Sequence, residues 1–423
     1  MNPSNLREAF AADGPGPLEG IRVVELASEW TAFAGKLLGE LGAEVILVEP
    51  PEGAATRRYE PFVADEPGPE RSLWWWHYQT SKHGVTLDLA DTAGRDGLRR
   101  LVGRADIVLE ADEDGRLAAL GVDHSALRAE RPQLIWVSIS PFGTGNPRSG
   151  EPATDLTILA GGGPVWSCGY DDHTLPPVRG GGNQAIHTAG LHAVAAALVA
   201  VIHRVGGGAG QHIDVSMHAA VNVTTEAATY HWLVAEETVQ RQTGRHASHR
   251  ITAASTALDK DGRPVNTGFP PTTPTGYRSI LAWLEELGLL EEFPDAVFLQ
   301  IGIDKGGVRM ADLATDVETQ AIYGAARDAL VFIAGRLTGY QFFVEGQRRG
   351  LAVGVIYAPE DVFADPHFAA TSFPTPVQRA DHGTVVHAGS GLMFERSPWR
   401  ISGPAPTLGE HNHLLDGLGG DRQ

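Results

Sequence analysis

Two stretches, Gly20-Ile-Arg-Val-Val-Glu-Leu26 and Ala43-Glu-Val-Ile-Leu-Val-Glu49, decide the fold. Each is a short β-branched run of the kind that forms a strand buried on both faces. Between them, Thr31 to Leu41 carries Phe33, Leu37, Leu38 and Leu41 at helical spacing, and Gly42 stands where a helix closes. Pro50-Pro51 stop the second run. Strand, helix and strand over so short a span predict a right-handed βαβ unit in a parallel sheet. The turn after the first strand reads Ala27-Ser28-Glu29-Trp30 and lacks G-x-G-x-x-G, which argues against a dinucleotide site of that type.

Outward from this unit, strand-like Val85–Leu89, Ala105–Glu110 and Leu134–Ser140 alternate with helical segments to about residue 150, the pattern of a layered α/β domain. An Ala-rich helix over about Ile186–Arg204, a strand at Gln211–Ser216 and a helical stretch 217–240 follow. Composition shifts near Gly244–Arg250, which reads as a polar linker, and Lys260-Asp261-Gly262 signals a hairpin. Helices over 275–338 suggest a smaller α+β domain, after which the apolar Leu351–Ile356 returns as a strand. The expected organisation is a loose lead-in at 1–17, a large α/β domain from 18–225, a small α+β domain over 226–345, and a segment 346–423 that returns to the large domain.

The formal charge of −19 argues against nucleic acid and anionic membrane as partners, although one cluster of cations could still hold a small anion. A single cysteine, Cys168, excludes an internal disulfide framework and a cysteine zinc site, and fits the cytoplasm. No basic region with an apolar core opens the chain, and the most apolar stretch, Ala189–Val201, is interrupted by His192 and short of a span. His246 and His249, like His411 and His413, lack a third ligand at believable spacing, so no metal is expected. P-loop and G-x-S-x-G signatures are missing too.

Chemistry concentrates in Glu151-Pro-Ala-Thr-Asp155-Leu-Thr-Ile-Leu-Ala-Gly161-Gly162-Gly163. Asp155 stands among Ala153, Leu156, Ile158 and Leu159, and a carboxylate drawn out of water becomes a stronger nucleophile. An Asp at a helix start is equally an N-cap, and both readings stay open on these residues alone. Gly161, Gly162 and Gly163 permit close backbone approach to a ligand. The run Trp74-Trp75-Trp76-His77-Tyr78 ahead of Lys82 suits core packing for at least two rings, and stacking with point-charge contact to a nucleotide for the rest.

Taken together, these segments resemble the family III CoA-transferases, the group of formyl-CoA transferase, L-carnitine dehydratase-type proteins and α-methylacyl-CoA racemase. The resemblance runs through Pro17–Leu26, Leu41–Ile46, Ser81–Leu89, Ala105–Glu110, Ser138–Gly143, Thr154-Asp155-Leu156, Gly210–Ser216, Ala364–Phe368 and Ala405–Glu410, in order and over nearly the whole chain. It implies a Rossmann-like large domain with a smaller one and two chains interlocked as a dimer. It also implies that Asp155 attacks an acyl-CoA to give a mixed anhydride and then an aspartyl-CoA thioester, which an acceptor carboxylate reverses. No cofactor beyond coenzyme A itself is implied, and no metal. Coenzyme A contacts are expected at Ser28, Glu29, Trp30, Arg57, Lys82, Arg116, Phe142 and Gly143, with Arg58 as a further phosphate candidate, and oxyanion support is expected from Gly161, Gly162 and Gly163.

Some positions depart from the family pattern. The loop after the third strand of the resemblance is Ala111-Asp-Glu-Asp-Gly115, Trp30-Thr31-Ala32 replaces an Ala-Gly-Pro, His83 follows Lys82 where Arg is usual, and Ala247-Ser-His-Arg250 stands where a glycine loop is expected. Racemases of the group carry His directly before the catalytic Asp and a second Asp before the later glycines. Here these positions are Thr154 and Asn183, which favours transfer over racemisation. Two alternatives remain: a CoA-dependent racemase or isomerase, and a non-catalytic CoA-binding subunit of a heteromeric transferase.

Overall fold

The structure is a computed structural model that describes residues 14–112 and 115–416. The first thirteen residues of the expected lead-in lie outside the described residues. The described residues form two compact units: those within 14–168, 177–237 and 363–416 make the first, and 169–176 with 238–362 the second. The junctions at 237/238 and 362/363 fall later than the expected bounds at 226 and 346. No compositional break marks the excursion of residues 169–176 into the second unit.

The first unit is built on β1 (Arg22–Leu26), α1 (Ala32–Glu40), β2 (Glu44–Glu49), α2 (Leu73–Tyr78), β3 (Lys82–Thr86), α3 (Thr92–Val102), β4 (Ile107–Glu110), α4 (Arg116–Ala119), α5 (His124–Glu130), β5 (Ile135–Ser140), α6 (Asp155–Gly162), α7 (Gln184–Val205), β6 (His212–Ser216), α8 (Met217–Asn222) and α9 (Glu226–Ala235). Its sheet is six-stranded and parallel, in the order β3-β2-β1-β4-β5-β6, with Val24 opposite both Ile46 and Val108. This is a doubly wound order, whose strand order reverses between β1 and β4. The aromatic run expected before β3 is helical, with Ser72 capping α2 through an acceptor bond from Trp75 N–H.

Alternate side chains of the strands enter two cores. Val23, Val45, Ile107, Leu109 and Val137 pack with α1, α6, α7 and α8 on one face. Val24, Ile46, Val48, Val108 and Trp136 pack with α3 and α4 on the other. Helix α7 is 22 residues and apolar enough, by length and composition, to cross a membrane, which exceeds the expected stretch. Here it is a core helix, with Ala185, Ala189, Ala193, Ala197 and Ala200 against the sheet. These small side chains let backbone and sheet approach closely, and Gly190 lies so close to Phe33 that an added Cβ would sit 2.9 Å from its ring.

Below α1 runs a buried charged network. Lys82 Nζ contacts Glu25 at 2.7 Å, Gln79 Oε1 at 2.6 Å and the Ala32 carbonyl at 2.9 Å. Lys36 and Glu40 pair within α1, and the Thr80 hydroxyl, 2.8 Å from Lys36 Nζ, donates to Glu40 at 2.7 Å. Burial pushes Glu25 above and Lys82 below their ordinary values, opposed by their mutual attraction. Gly35 exists for this pair: a Cβ there would overlap the Glu25 carboxylate at 1.7 Å.

Two histidines share this surrounding. Burial, then Lys36, pushes His77 down to about 3, and His387 goes down to about 4 by burial and the same lysine. Both are neutral in the native state at pH 7, and the unfolded chain binds their protons first, near the ordinary value of about 6.5. Stability is therefore fully present above pH ~6.5 and falls as pH drops toward 4. Urea unfolding between pH 7 and 4.5 is expected to show a loss on the order of a few kcal/mol. A His77→Gln, His387→Asn variant should flatten that profile. An unchanged slope would remove these two groups as its cause.

The second unit contains the hairpin β7 (Gln240–Gln242) and β8 (Arg245–Ser248), so the segment expected as a polar linker is paired structure. A three-stranded sheet joins β9 (Thr256–Leu258), β10 (Pro264–Asn266) and β11 (Gly354–Val355), with the expected hairpin turn at Lys260–Gly262. Helices α10 (Pro274–Glu286), α11 (Ala296–Asp304), α12 (Val317–Ala334) and α13 (Gly339–Arg348) enclose a core of Trp283, Tyr277, Phe342 and Ile322. The apolar run Leu351–Ile356 joins this sheet through β11 and does not return to the parallel one. The chain re-enters the first unit with α14 (Pro366–Ala370), the hairpin β12 (Pro374–Arg379) and β13 (Gly383–Ala388), and α15 (His413–Asp416).

Candidate active site

Asp155 is the first residue of α6, but it is not that helix's cap. Thr154 accepts from Thr157 N–H, and Thr157 Oγ1 accepts from Thr154 N–H at 2.8 Å, a complete reciprocal box. The local capping demand is met by the neighbour, and the Asp155 carboxylate turns elsewhere. Oδ1 accepts from the backbone N–H of Ala185 at 2.8 Å, and Oδ2 from Arg179 Nη1 at 2.6 Å. Ala185 lies in the first turn of α7, whose cap residue Asn183 makes no side-chain cap bond. One carboxylate thus meets the N-terminal ends of two helices and a guanidinium, where backbone N–H groups and helix dipoles favour negative charge. The Asp155 side chain is only 11% exposed, whereas Arg179 is 38% exposed.

A second hydrogen-bonded group stands beside it. Asn183 Nδ2 donates to the Tyr78 hydroxyl at 3.1 Å, and that hydroxyl is hydrogen-bonded with His187 Nε2 at 2.8 Å. Burial holds His187 below its ordinary value against the pull of Asp155, which disfavours the charged ring. Burial and then the Asp155 charge raise Tyr78, offset by the Asn183 bond. Phe33 lies 4.3 Å from the His187 ring, Trp74 lies 4.4 Å from Tyr78, and Tyr59 meets Trp74 edge-on at 5.4 Å. This forms a continuous aromatic wall.

The other expected site residues divide. Arg57 is 1% exposed, pairs bidentately with Glu49 at 2.7 and 2.8 Å, meets Glu70 at 2.9 Å, and stacks 3.8 Å from Trp75. Lys82 is committed to Glu25, as described above. Neither cation can reach a phosphate without leaving a carboxylate buried and unpaired, so both belong to the core. Trp30 is also buried in the core, and Ser28 Oγ accepts from its N–H at 3.2 Å. Glu29 lies beside Tyr59, whose phenol is raised by burial and then by that carboxylate. Arg58 is exposed and reaches the Glu52 carbonyl at 3.5 Å.

Arg116 is 70% exposed, opens α4, and lines a cavity of about 500 Å³ together with Leu26, Ala27, Pro50 and Leu87. That cavity lies off the carboxyl ends of β1, β2 and β3, where ligands of such sheets sit. Phe142 packs under the Arg148 guanidinium at 3.7 Å. Gly143 adopts φ +79°, with its N–H on Ser140 Oγ and Asp214 where a Cβ would go.

The three glycines do not gather at Asp155. Gly161 and Gly162 end α6, where added Cβ atoms would meet His218 at 3.1 Å and Val221 at 2.3 Å. Six residues of helix separate Gly161 from Asp155, a rise of about 9 Å. Gly161 and Gly162 let α6 press on α8, and Gly163 takes the positive φ that turns the chain. The donors within reach of the carboxylate are Ala185 N–H and Arg179 instead. Nothing in the sequence singled out Arg179 or His187, and Tyr78 stood there only within an aromatic run, because the three come from elements far apart in the chain.

The sequence profile described as CoA-transferase family III matches residues 18–271 and 310–412. Succinyl-CoA:(R)-benzylsuccinate CoA-transferase subunit BbsE of Thauera aromatica is 28% identical, over 93% of this chain and 92% of its own. Succinate–glutarate CoA-transferase of Agrobacterium fabrum is 26% identical, over 93% and 94%. A solved CAIB/BAIF family protein from Brucella suis superposes with a TM-score of 0.76 at 26% identity, covering 95% of this chain and 99% of that one.

Proposed function

Because the chain belongs to CoA-transferase family III, we propose that it moves coenzyme A from an acyl-CoA to a free carboxylic acid with Asp155 as the covalent carrier. The observation that supports this is the Asp155 carboxylate, sheltered from water, relieved of capping its own helix, and oriented by Ala185 N–H and Arg179. An aspartate oxygen attacks the thioester carbonyl, the C–S bond breaks, and a mixed anhydride and CoA thiolate result. The thiolate then attacks the aspartyl carbonyl and releases the donor acid, leaving an aspartyl-CoA thioester. Charge that develops on the aspartyl oxygen lies at the N-terminus of α7, where Ala185 N–H already points.

Coenzyme A lies, in this reading, along the crevice at the carboxyl ends of β1–β3 with Arg116 at its edge. The aromatic wall of Trp74, Tyr78 and Phe33 offers apolar cover near the carboxylate. The same reading has the enzyme work in the cytoplasm as a dimer of two copies. Leu191, Val199 and Ile202 on α7 and Trp232, Leu233 and Val234 on α9 expose large apolar side chains that suit a second chain. Pairing with a related subunit is the alternative, supported by the word subunit in the Thauera relative's name. Racemisation is disfavoured because Thr154 is tied into the capping box and Asn183 donates to Tyr78, so neither serves as a base.

The test is intact-mass measurement after incubation with a panel of acyl-CoAs, followed by hydroxylamine. A CoA-sized adduct on the peptide bearing Asp155, removed by hydroxylamine, is expected. Turnover without any such adduct would reject the covalent route.

A further inference from the structure

Resting on the reading of Asp155 as carrier, we propose that Arg179 is an exchangeable carboxylate clamp. It holds Asp155 in the resting enzyme and takes the carboxylate of the acid substrate once Asp155 is acylated. Arg179 reaches Asp155 through Nη1 alone, the same nitrogen that donates to the Gly182 carbonyl at 3.0 Å. Among the described residues, its Nε and Nη2 hydrogens make no hydrogen bond, leaving three donors of the guanidinium fork unused. The Arg179 side chain is 38% exposed and the Asp155 side chain 11%, so the guanidinium is the more open of the pair to an incoming anion.

Charge then sets the order of events. In the resting state Asp155 and Arg179 neutralise each other, and a second anion would meet an occupied cation beside a like charge. Forming the anhydride or the thioester turns the aspartate into a neutral acyl group, and Arg179 loses its partner. A partly desolvated guanidinium without an anion is costly, and its free fork fits a carboxylate bidentately. The acid anion bound there attacks the aspartyl thioester carbon, the C–S bond breaks and CoA thiolate leaves. The thiolate then attacks the acyl carbon of the new anhydride, the bond to the aspartyl oxygen breaks, and the electron pair returns to Asp155. The regenerated carboxylate reclaims Arg179. No proton is gained or lost over the cycle. Acid binding thereby depends on prior loading, and a free acid competes poorly for the resting site.

Asp155→Asn gives a neutral, isosteric stand-in for the loaded aspartate, with an amide oxygen still able to accept from Ala185 N–H. Succinate, measured by calorimetry, is expected to bind Asp155→Asn at least about 10-fold more tightly than the wild type. Adding Arg179→Gln should abolish that gain, and Arg179→Lys should retain part of it, since a lysine keeps the charge but not the fork. In the otherwise wild-type enzyme, Arg179→Lys should raise KM for the acid more than KM for acyl-CoA. Equal succinate affinity in wild type and Asp155→Asn, or full affinity retained in both Arg179 double variants, would overturn the clamp. The mass experiment separates the two levels: an Asp155 adduct together with succinate binding indifferent to residue 179 sinks the clamp alone, whereas turnover without an adduct sinks the carrier on which it rests.

Discussion

Replacing Asp155 with Asn should lower kcat for CoA transfer by at least about 10⁴-fold, the scale on which loss of a covalent nucleophile is felt. The structure separates this chemical loss from a structural one. Asp155 holds the open end of a 22-residue helix through Ala185 N–H, so it acts as a remote cap as well. Asn keeps an acceptor at that place, and Ala does not. Asp155→Ala should therefore cost about 1–2 kcal/mol of stability, the range for a lost cap or an unpaired buried donor. Asp155→Asn should cost less. Both variants should fail equally in transfer. If activity tracked stability across the two, with Asn largely active, Asp155 would be a scaffold residue only. Urea unfolding beside initial rates decides it.

The second large effect concerns Lys82, expected from the sequence to touch coenzyme A and found inside the protein. Lys82→Met should destabilise the fold by about 3–5 kcal/mol, because the Glu25 carboxylate would be left among Ala32, Gly35 and Thr31 without its counter-charge. A Glu25→Leu, Lys82→Met double variant should regain much of this, since two apolar groups replace two desolvated charges. KM for acyl-CoA should stay close to wild type in whatever folds. A phosphate ligand would behave in the opposite way, with stability kept and KM raised. Denaturant midpoints and acyl-CoA saturation curves on the same preparations distinguish the two roles.

These two residues also mark where the sequence was readable. The parallel sheet followed from β-branched runs alternating with amphipathic helices, since burial on both faces leaves a local imprint. Asp155 stood out as a candidate through its family context. Its exemption from capping was not, because that depends on Thr154 and Thr157 satisfying each other's backbone. Arg57 and Lys82 misled for one reason: a cation in sequence looks the same whether it meets water, a ligand or a buried carboxylate. Glu49 and Glu25, their partners, sit inside strands that otherwise read as plain core. The site glycines misled likewise, as lack of a side chain serves helix packing as well as ligand approach. Arg179, Tyr78 and His187 meet Asp155 or its neighbours only after the chain has folded over long separations.

The threonine pair at the start of the helix carrying Asp155 has one more implication. A side chain that is consumed and regenerated in every catalytic cycle is a poor foundation for the segment that bears it. Under the carrier role proposed for Asp155, delegating the helix start to Thr154 and Thr157 lets position 155 change from anion to acyl derivative and back while its own helix keeps its cap. The long helix opposite asks only for an oxygen, and an anhydride or thioester still presents one. The reactive group can thus be rewritten chemically inside a scaffold that does not register the change.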